Sequence, residues 1–184
     1  MPDEASLAES RQTGRDPPPD PCQVFLKAMN KFIEGLRLNH VQLTIPEGSL
    51  ATIRNDLLSF YCYALGFGLT SIDQFGPNHL FLTLDSEGSQ FIYVSEHAKP
   101  MSVGGDDHVG LHLQDRAAVD WFLGTCKTVQ STDSRMEIRE LEDLELEQTI
   151  THAFYFRYLL PLWFDIQVIE YRRGHEPRRR WTFR

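Results

Sequence analysis

The chain has 184 residues, of which 41% are apolar and 11% aromatic, so it can bury the core of one ordinary domain or of two very small ones. Its three cysteines, Cys22, Cys62 and Cys126, lack CxxC spacing, which excludes a disulfide framework and a cysteine-only zinc site and indicates a reducing cytoplasm. The net charge of −8 combines an acidic body, which should repel nucleic acid, with an arginine-rich end at residues 172–184.

The N-terminal residues are acidic and proline-rich, and the longest apolar run, residues 158–164, is too short to span a bilayer. We therefore expect neither a membrane nor nucleic acid as a partner. Residues 1–20 are predicted to be disordered because they hold four of the ten prolines and few apolar residues. Residues 21–36 place apolar side chains at helical spacing, which predicts a lead-in helix that packs on the domain or on a partner subunit.

The next segment predicts a strand, a helix and three further strands. Residues 38–45, LNHVQLTI, alternate polar and apolar side chains, as a half-buried strand does. Residues 54–65, RNDLLSFYCYAL, predict a helix that ends before Gly66. Strand-like runs follow at residues 69–73, 79–84 and 90–95.

The same order of elements returns in the second half of the chain. Residues 106–113, DDHVGLHL, predict a strand, and residues 116–129 predict a helix. Strand-like runs follow at residues 136–141, 149–157 and 165–171. The two copies are offset by 68 residues between His40 and His108, so an internal repeat decides the predicted fold.

His40 and His108 occupy matched positions in the two repeats. Strand alternation places His40 with Gln42, and His108 with His112, on the face that points away from the helices. If the strands pair about a pseudo-twofold axis, the imidazoles of His40 and His108 can converge. Neutral imidazole is the commonest metal ligand among side chains.

These motifs, taken in order, resemble the vicinal oxygen chelate superfamily of glyoxalases, bleomycin-resistance proteins and extradiol dioxygenases. They are HVQL at 40–43, FYCYALGF at 60–67, HVGL at 108–111, FYFR at 154–157 and VIEY at 168–171. The resemblance covers residues 37–172 and implies an α+β domain of two βαβββ modules, 37–100 and 105–172, forming a curved mixed sheet around a cavity. An N-terminal helical extension precedes it, and a basic tail, residues 173–184, follows.

The resemblance also implies one divalent metal ion (Fe, Mn, Ni or Zn), held by His40, His108 and a glutamate of the last strand. A fourth ligand, found in glyoxalases on the last strand of the first module, has no carboxylate counterpart in mid-strand here, because Gln90 is not a carboxylate and Glu96 comes too late in the strand. This absence favours a site with three ligands or an empty site.

The third ligand is left open by the sequence. Counting from Pro161 places Gln167 at the ligand position, whereas the closing Ile-Glu-Tyr places Glu170 there. The two have opposite strand parity, so only one can face the cavity unless a bulge intervenes. Asp165 shares the face of Gln167 and is a further candidate. Charge favours Glu170, since a carboxylate with two histidines forms the facial triad of non-haem iron sites.

Two further residues, His152 and Tyr155, resemble the catalytic histidine and tyrosine of extradiol dioxygenases, although three residues is closer than the usual spacing. A buried aromatic strand with His152 at its wet end is the alternative. Gln42 and His112 share the strand faces of His40 and His108, and Arg157 follows the aromatic run, so these three are candidate substrate-binding residues, although Arg157 could equally form a salt bridge at the rim.

The resulting hypothesis is a cytoplasmic, homodimeric, divalent-metal-dependent enzyme, a lyase, isomerase or dioxygenase, that acts on a small oxygenated molecule. The aromatic content of the second half suits an aromatic substrate. The alternative is a metal-free protein that binds or sequesters a small molecule, as bleomycin-resistance proteins do.

Overall fold

The structure is a computed structural model that describes residues 38–70 and 76–177. The predicted disordered segment 1–20, the lead-in helix 21–36 and residues 178–184 of the basic tail lie outside the described residues. The described residues from Asn39 to 177 form one compact unit.

The first module folds as one strand, a helix and three strands. Its elements are β1 (His40–Pro46), α1 (Ser49–Leu57), a π-helical segment (Leu58–Ala64), β2 (Gly68–Thr70), β3 (His79–Thr83) and β4 (Phe91–His97). The strand order is β1-β4-β3-β2, with β1 parallel to β4 and the other pairs antiparallel. Gly48, with φ of 75°, allows the tight turn from β1 into α1 that other residues would resist.

The second module repeats this arrangement. Its elements are β5 (His108–His112), α2 (Arg116–Gln130), β6 (Glu137–Glu140), β7 (Leu144–Glu145), β8 (Thr149–Arg157) and β9 (Trp163–Tyr171). The strand order is β5-β9-β8-β6, and the short β7 also pairs with β8. Asp115 caps α2 by accepting a hydrogen bond from the backbone N–H of Ala118. The repeated βαβββ module is therefore confirmed.

Each sheet has one face that packs on helices, which we call its helix face. The helix faces carry the side chains that are almost fully buried, among them Leu43, Leu82, Ile92, Phe154, Phe156, Phe164 and Ile166. Tyr61 of the π-helical segment joins the two modules, because its ring contacts Phe156 and Phe164 and its hydroxyl donates to the carbonyl oxygen of Tyr158 at 2.8 Å.

The predicted α+β class is confirmed. The predicted curved sheet around a cavity is not closed, because the strands form two separate hydrogen-bonded sheets within the described residues. In the part of the chain that the structure describes, no helix has the length and apolar character needed to cross a membrane.

Candidate functional site

We call the face of each sheet opposite its helices the far face. In the second sheet, the far face carries a group of polar side chains. The register of β5, β9, β8 and β6 sets their neighbours: Gly110 lies opposite Asp165, Asp165 opposite Tyr155, and Tyr155 opposite Arg139. His108 lies opposite Trp163, one position along on the same face. The pairing therefore brings chemically active side chains from four strands together.

Asp165 is the unusual residue of this face, because it is a carboxylate that is only 7% exposed. Its Oδ2 lies 3.9 Å from His108 Nε2, and its Oδ1 has no hydrogen-bond partner among the described residues. Burial raises the pKa of Asp165, and the nearby His108 lowers it. A buried carboxylate oxygen without a partner is costly, so this site favours a proton, a cation or a donating ligand beside it.

His108 is oriented by its own chain. Its Nδ1 lies 2.7 Å from the backbone carbonyl oxygen of Asp106, and because a carbonyl only accepts, Nδ1 carries the hydrogen. In the neutral ring, Nε2 then presents its lone pair toward Asp165. This is the tautomer that a metal-ligating histidine uses, with its other nitrogen bonded to a backbone carbonyl.

The absence of a side chain at Gly110 leaves space for the side chains of Gln167 and Asp165. A Cβ atom built on Gly110 would lie 3.0 Å from Gln167 Nε2 and 4.0 Å from Asp165 Oδ2. Both side chains therefore lean over the backbone of β5 beside His108, an approach that a larger residue would hinder. Gln167 and Asp165 share the far face of β9, as the sequence predicts.

Tyr155 adjoins this pair, with its ring centroid 5.0 Å from that of His108. Burial raises the pKa of Tyr155, and the charges of Asp165 and Asp106 raise it further. Its hydroxyl therefore keeps its proton near neutral pH and can donate a hydrogen bond.

Glu170, predicted as a metal ligand, lies on the opposite face. Its Oε2 is 3.6 Å from Nε2 of His152, and Nδ1 of His152 is 2.8 Å from Oδ1 of Asp143. Regular alternation along β9 directs Asp165 and Glu170 to opposite sides of the sheet, so the structure places Glu170 away from His108. His152 and Tyr155 are likewise separated by the sheet, so the structure does not bring this predicted catalytic pair together.

The helix-face group around His152 borders a cavity of about 90 Å³ between α2 and β8. Arg116 Nη1 lies 2.5 Å from His152 Nδ1, and it also bonds the carboxylate of Asp143 at 3.3 Å. These contacts make His152 part of an ion-pair network beneath the sheet, away from His108.

His40 holds the matching position in the first module, opposite Phe91 in the pairing of β1 with β4. Its ring stacks on Phe91 with centroids 4.9 Å apart, and its Nδ1 lies 2.8 Å from Oδ1 of Asn39. Within the described residues, no three His, Cys, Asp or Glu side chains come close enough to share one metal ion. His40 therefore does not join His108 and Asp165 within one chain.

The three predicted substrate-binding residues lie on far faces. Gln42 donates to Ser95 Oγ at 3.0 Å on the first sheet. His112, whose pKa is lowered by burial, accepts from the backbone N–H of Ile169 at 3.3 Å. Arg157 forms two-point hydrogen bonds with Glu137, at 2.8 to 2.9 Å, as the salt-bridge alternative predicts.

Comparison with known proteins finds no matching family model and no curated protein that matches by sequence. Among solved structures, the chain is similar to a Bacillus anthracis protein described as a member of the glyoxalase family, with a TM-score of 0.52 and 14% identity over 73% of this chain and 96% of that one. The chain has the glyoxalase fold. The predicted resemblance to the vicinal oxygen chelate superfamily is therefore confirmed at the level of the fold.

Two other glyoxalase-fold structures score lower. A glyoxalase/bleomycin resistance protein from Albidiferax ferrireducens has a TM-score of 0.46 and 13% identity over 71% of this chain and 97% of that one. A fosfomycin resistance protein from Listeria monocytogenes has a TM-score of 0.46 and 12% identity over 72% and 93%. Similarity at this level adds nothing on activity.

Proposed function

We propose that the protein is a divalent-metal-dependent enzyme that acts on a small oxygenated substrate at the far face of the second sheet. The observation that carries the proposal is the buried Oδ1 of Asp165, which has no hydrogen-bond partner among the described residues, together with His108, whose Nε2 lone pair points toward the Asp165 carboxylate. His108 Nε2 and Asp165 Oδ2, which lie 3.9 Å apart, can both contact one ion whose bonds are about 2.0–2.2 Å long. The donor set, imidazole with carboxylate, suits Fe, Mn, Ni or Zn.

His108 and Asp165 alone are too few ligands for a stable metal site. Two further side chains can complete it. Gln167 lies on the same face with its amide nitrogen over Gly110, and rotation of the amide would present its oxygen to the ion. His40 can be supplied by a second copy of the chain, because β1 and β5 are both edge strands of their sheets. The proposal therefore includes a homodimer.

Bound there, a divalent ion supplies Lewis acidity toward substrate oxygens. The residues of the chain position the ion's ligand and hydrogen-bond the substrate. Asp106 holds the ring of His108 in place through its backbone carbonyl, and Tyr155 donates its hydroxyl hydrogen to a substrate oxygen. We place the reaction in the lyase, isomerase or dioxygenase classes, and the protein in the cytoplasm on its cysteine pattern.

Calorimetric titration with Mn²⁺ and metal analysis of the purified protein test the metal site. We expect about one equivalent per chain, and loss of about tenfold or more in affinity in Asp165→Asn, because second-shell changes alone cost that much. Asp143→Asn, a matched change on the helix face, should bind as the natural chain does. Less than about a tenth of an equivalent, with no uptake of added Fe, Mn, Ni or Zn, would contradict the proposal.

A second candidate function is metal-free binding of a planar molecule, of the bleomycin-resistance kind. The far face of the first sheet favours it, because its rings stack in a continuous layer. Phe81 and Tyr93 lie 4.6 Å apart at 13°, and His79 and Tyr93 lie 5.5 Å apart at 11°. If alanine at both His40 and His108 leaves ligand binding intact, this candidate replaces the metal enzyme.

A further inference from the structure

Two arginines lie against one buried tryptophan at the edge of the candidate site. Cζ of Arg139 is 4.1 Å from the ring centroid of Trp163, and Cζ of Arg157 is 4.7 Å from it. Trp163 is only 2% exposed. Such cation–π contacts hold guanidinium groups flat against the ring while their N–H edges stay directed outward.

Both guanidinium groups already bind carboxylates of the protein, and both keep N–H groups to spare. Arg139 donates through Nη1 to Asp106 at 2.8 Å, and Asp106 has a side chain that is 87% exposed. Arg157 uses Nε and Nη2 on Glu137. Among the described residues, Nε and Nη2 of Arg139 and Nη1 of Arg157 have no hydrogen-bond partner. An exposed ion pair is weak, so a ligand carboxylate can compete with Asp106 for Arg139.

Arg139 and Asp165 lie on the same face of the second sheet, with Tyr155 between them. Arg139 lies opposite Tyr155, and Tyr155 lies opposite Asp165, so two strand spacings, about 10 Å in all, separate their backbones. The ring of Tyr155 lies between, beside that of His108. A molecule with one aromatic ring can therefore reach both ends.

We propose that Arg139 and Arg157 bind the carboxylate of an aromatic acid whose ring lies over Tyr155 and whose other oxygens face His108 and Asp165. This inference rests on the proposed function and names the substrate class of the same site. The charges fix the orientation, because the buried carboxylate of Asp165 repels the acid group while the guanidinium fork matches it. Arg139 keeps Nε and Nη2, the edge that binds a carboxylate at two points, and Arg157 adds Nη1, which its bonds to Glu137 leave unused.

The test uses ¹⁹F NMR titration of the full chain, kept metal-free with a chelator, with 4-fluorobenzoate and with the neutral 4-fluorobenzamide. We expect the acid to bind about tenfold more tightly than the amide, and Arg139→Gln and Arg157→Gln to remove that preference. Arg135→Gln is the matched control, because Arg135 is also ion-paired and lies over an aromatic ring, that of Tyr158, but it pairs with Asp56 of α1 and does not contact Trp163. It should leave the preference unchanged.

Asp106→Asn provides a second arm that does not risk the fold, since this side chain is exposed. It removes the competing carboxylate, so it should tighten binding of the acid severalfold and leave binding of the amide unchanged. Equal binding of acid and amide, no binding of the acid, or an unchanged preference in Arg139→Gln would overturn the inference.

The outcome is separable from that of the metal site, because neither probe has vicinal oxygens and no metal is present. An acid preference that depends on Arg139, in a protein that never binds metal, would uphold the inference and contradict the proposed enzyme. Metal binding through Asp165 without any preference for the acid would support the proposed enzyme and overturn the inference.

Discussion

The two modules share one backbone plan, yet their far faces differ in chemistry. Pairing of β1 with β4 and of β5 with β9 is parallel in both, and each begins at a histidine opposite an aromatic residue. The next far-face pair is Gln42 with Tyr93 in the first module and Gly110 with Asp165 in the second. The repeat thus keeps its histidine and changes what stands beside it.

This difference indicates that the reactive groups lie on the far face of the second sheet. The far face of the first sheet is built from stacked rings, whereas that of the second holds a buried carboxylate and two arginines. A stacked face can hold a flat molecule, but only the second face combines ligating, charged and hydrogen-bonding groups. The following predictions contrast matched positions of the two modules.

The largest effects are expected on the helix faces, where the modules should behave alike. Leu82 and Phe156 occupy corresponding positions on β3 and β8, and both are fully buried. Alanine should lower the free energy of unfolding by about 2–5 kcal/mol at Leu82 and about 3–5 kcal/mol at Phe156, because each leaves a cavity. Urea unfolding measures both. A cost below about 1 kcal/mol at either position would show that its helix face is not packed as described.

The second prediction contrasts Gly110 with Gln42. Gly110→Val should push Gln167 and Asp165 away from His108 and lower Mn²⁺ affinity about tenfold, or about 1.4 kcal/mol. Valine suits a strand, so the fold should persist. Gln42→Val, at the matched position of the first module, should leave the Mn²⁺ affinity of the His108 and Asp165 site unchanged. Isothermal titration calorimetry compares them, and equal losses would remove the contrast between the modules.

The smallest effect concerns stability and pH. Because burial raises the pKa of Asp165, the folded state binds its proton more tightly than the unfolded state does. Its contribution is therefore favourable at low pH and is lost as the pH rises through the raised pKa. In metal-free protein, Asp165→Asn should be more stable at neutral pH, by on the order of 1 kcal/mol, and should lack this decline.

Tyr93→Phe, at the corresponding position of the first module, provides the control for that measurement. Tyr93 is uncharged over the acidic and neutral range, since burial raises its pKa further above the ordinary value. The decline of stability with pH should therefore persist in this variant. Thermal melts from pH 4 to pH 8 give the comparison, and an unaltered decline in Asp165→Asn would show that Asp165 is not the group responsible.

The sequence was sufficient to predict the modules, because alternation in the His40 and His108 strands and the 68-residue offset depend only on local pattern and repetition. It was not sufficient to choose among Asp165, Gln167 and Glu170. That choice depends on the turn before β9, where Leu159 adopts a positive φ of 61°, and on the register that the turn sets.

Arg139 and Trp163 were not among the sequence candidates. Arg139 lies in an acidic stretch that resembles a solvated surface, and Trp163 lies in an apolar run that resembles core. Only the pairing of β6 with β8 and the contacts across the far face bring them together. Alternation along residues 137–140 and 163–169 could have placed both on one face, but not side by side.

The central claim is that His108 and Asp165, and not Glu170, form the metal-binding part of the chain. The most direct test is a crystal structure of Mn²⁺-loaded protein with anomalous difference density. The account predicts a single strong peak on the far face of the second sheet, bonded to Nε2 of His108 and to a carboxylate oxygen of Asp165. A peak beside His152 and Glu170 on the helix face, or none near His108, would contradict it.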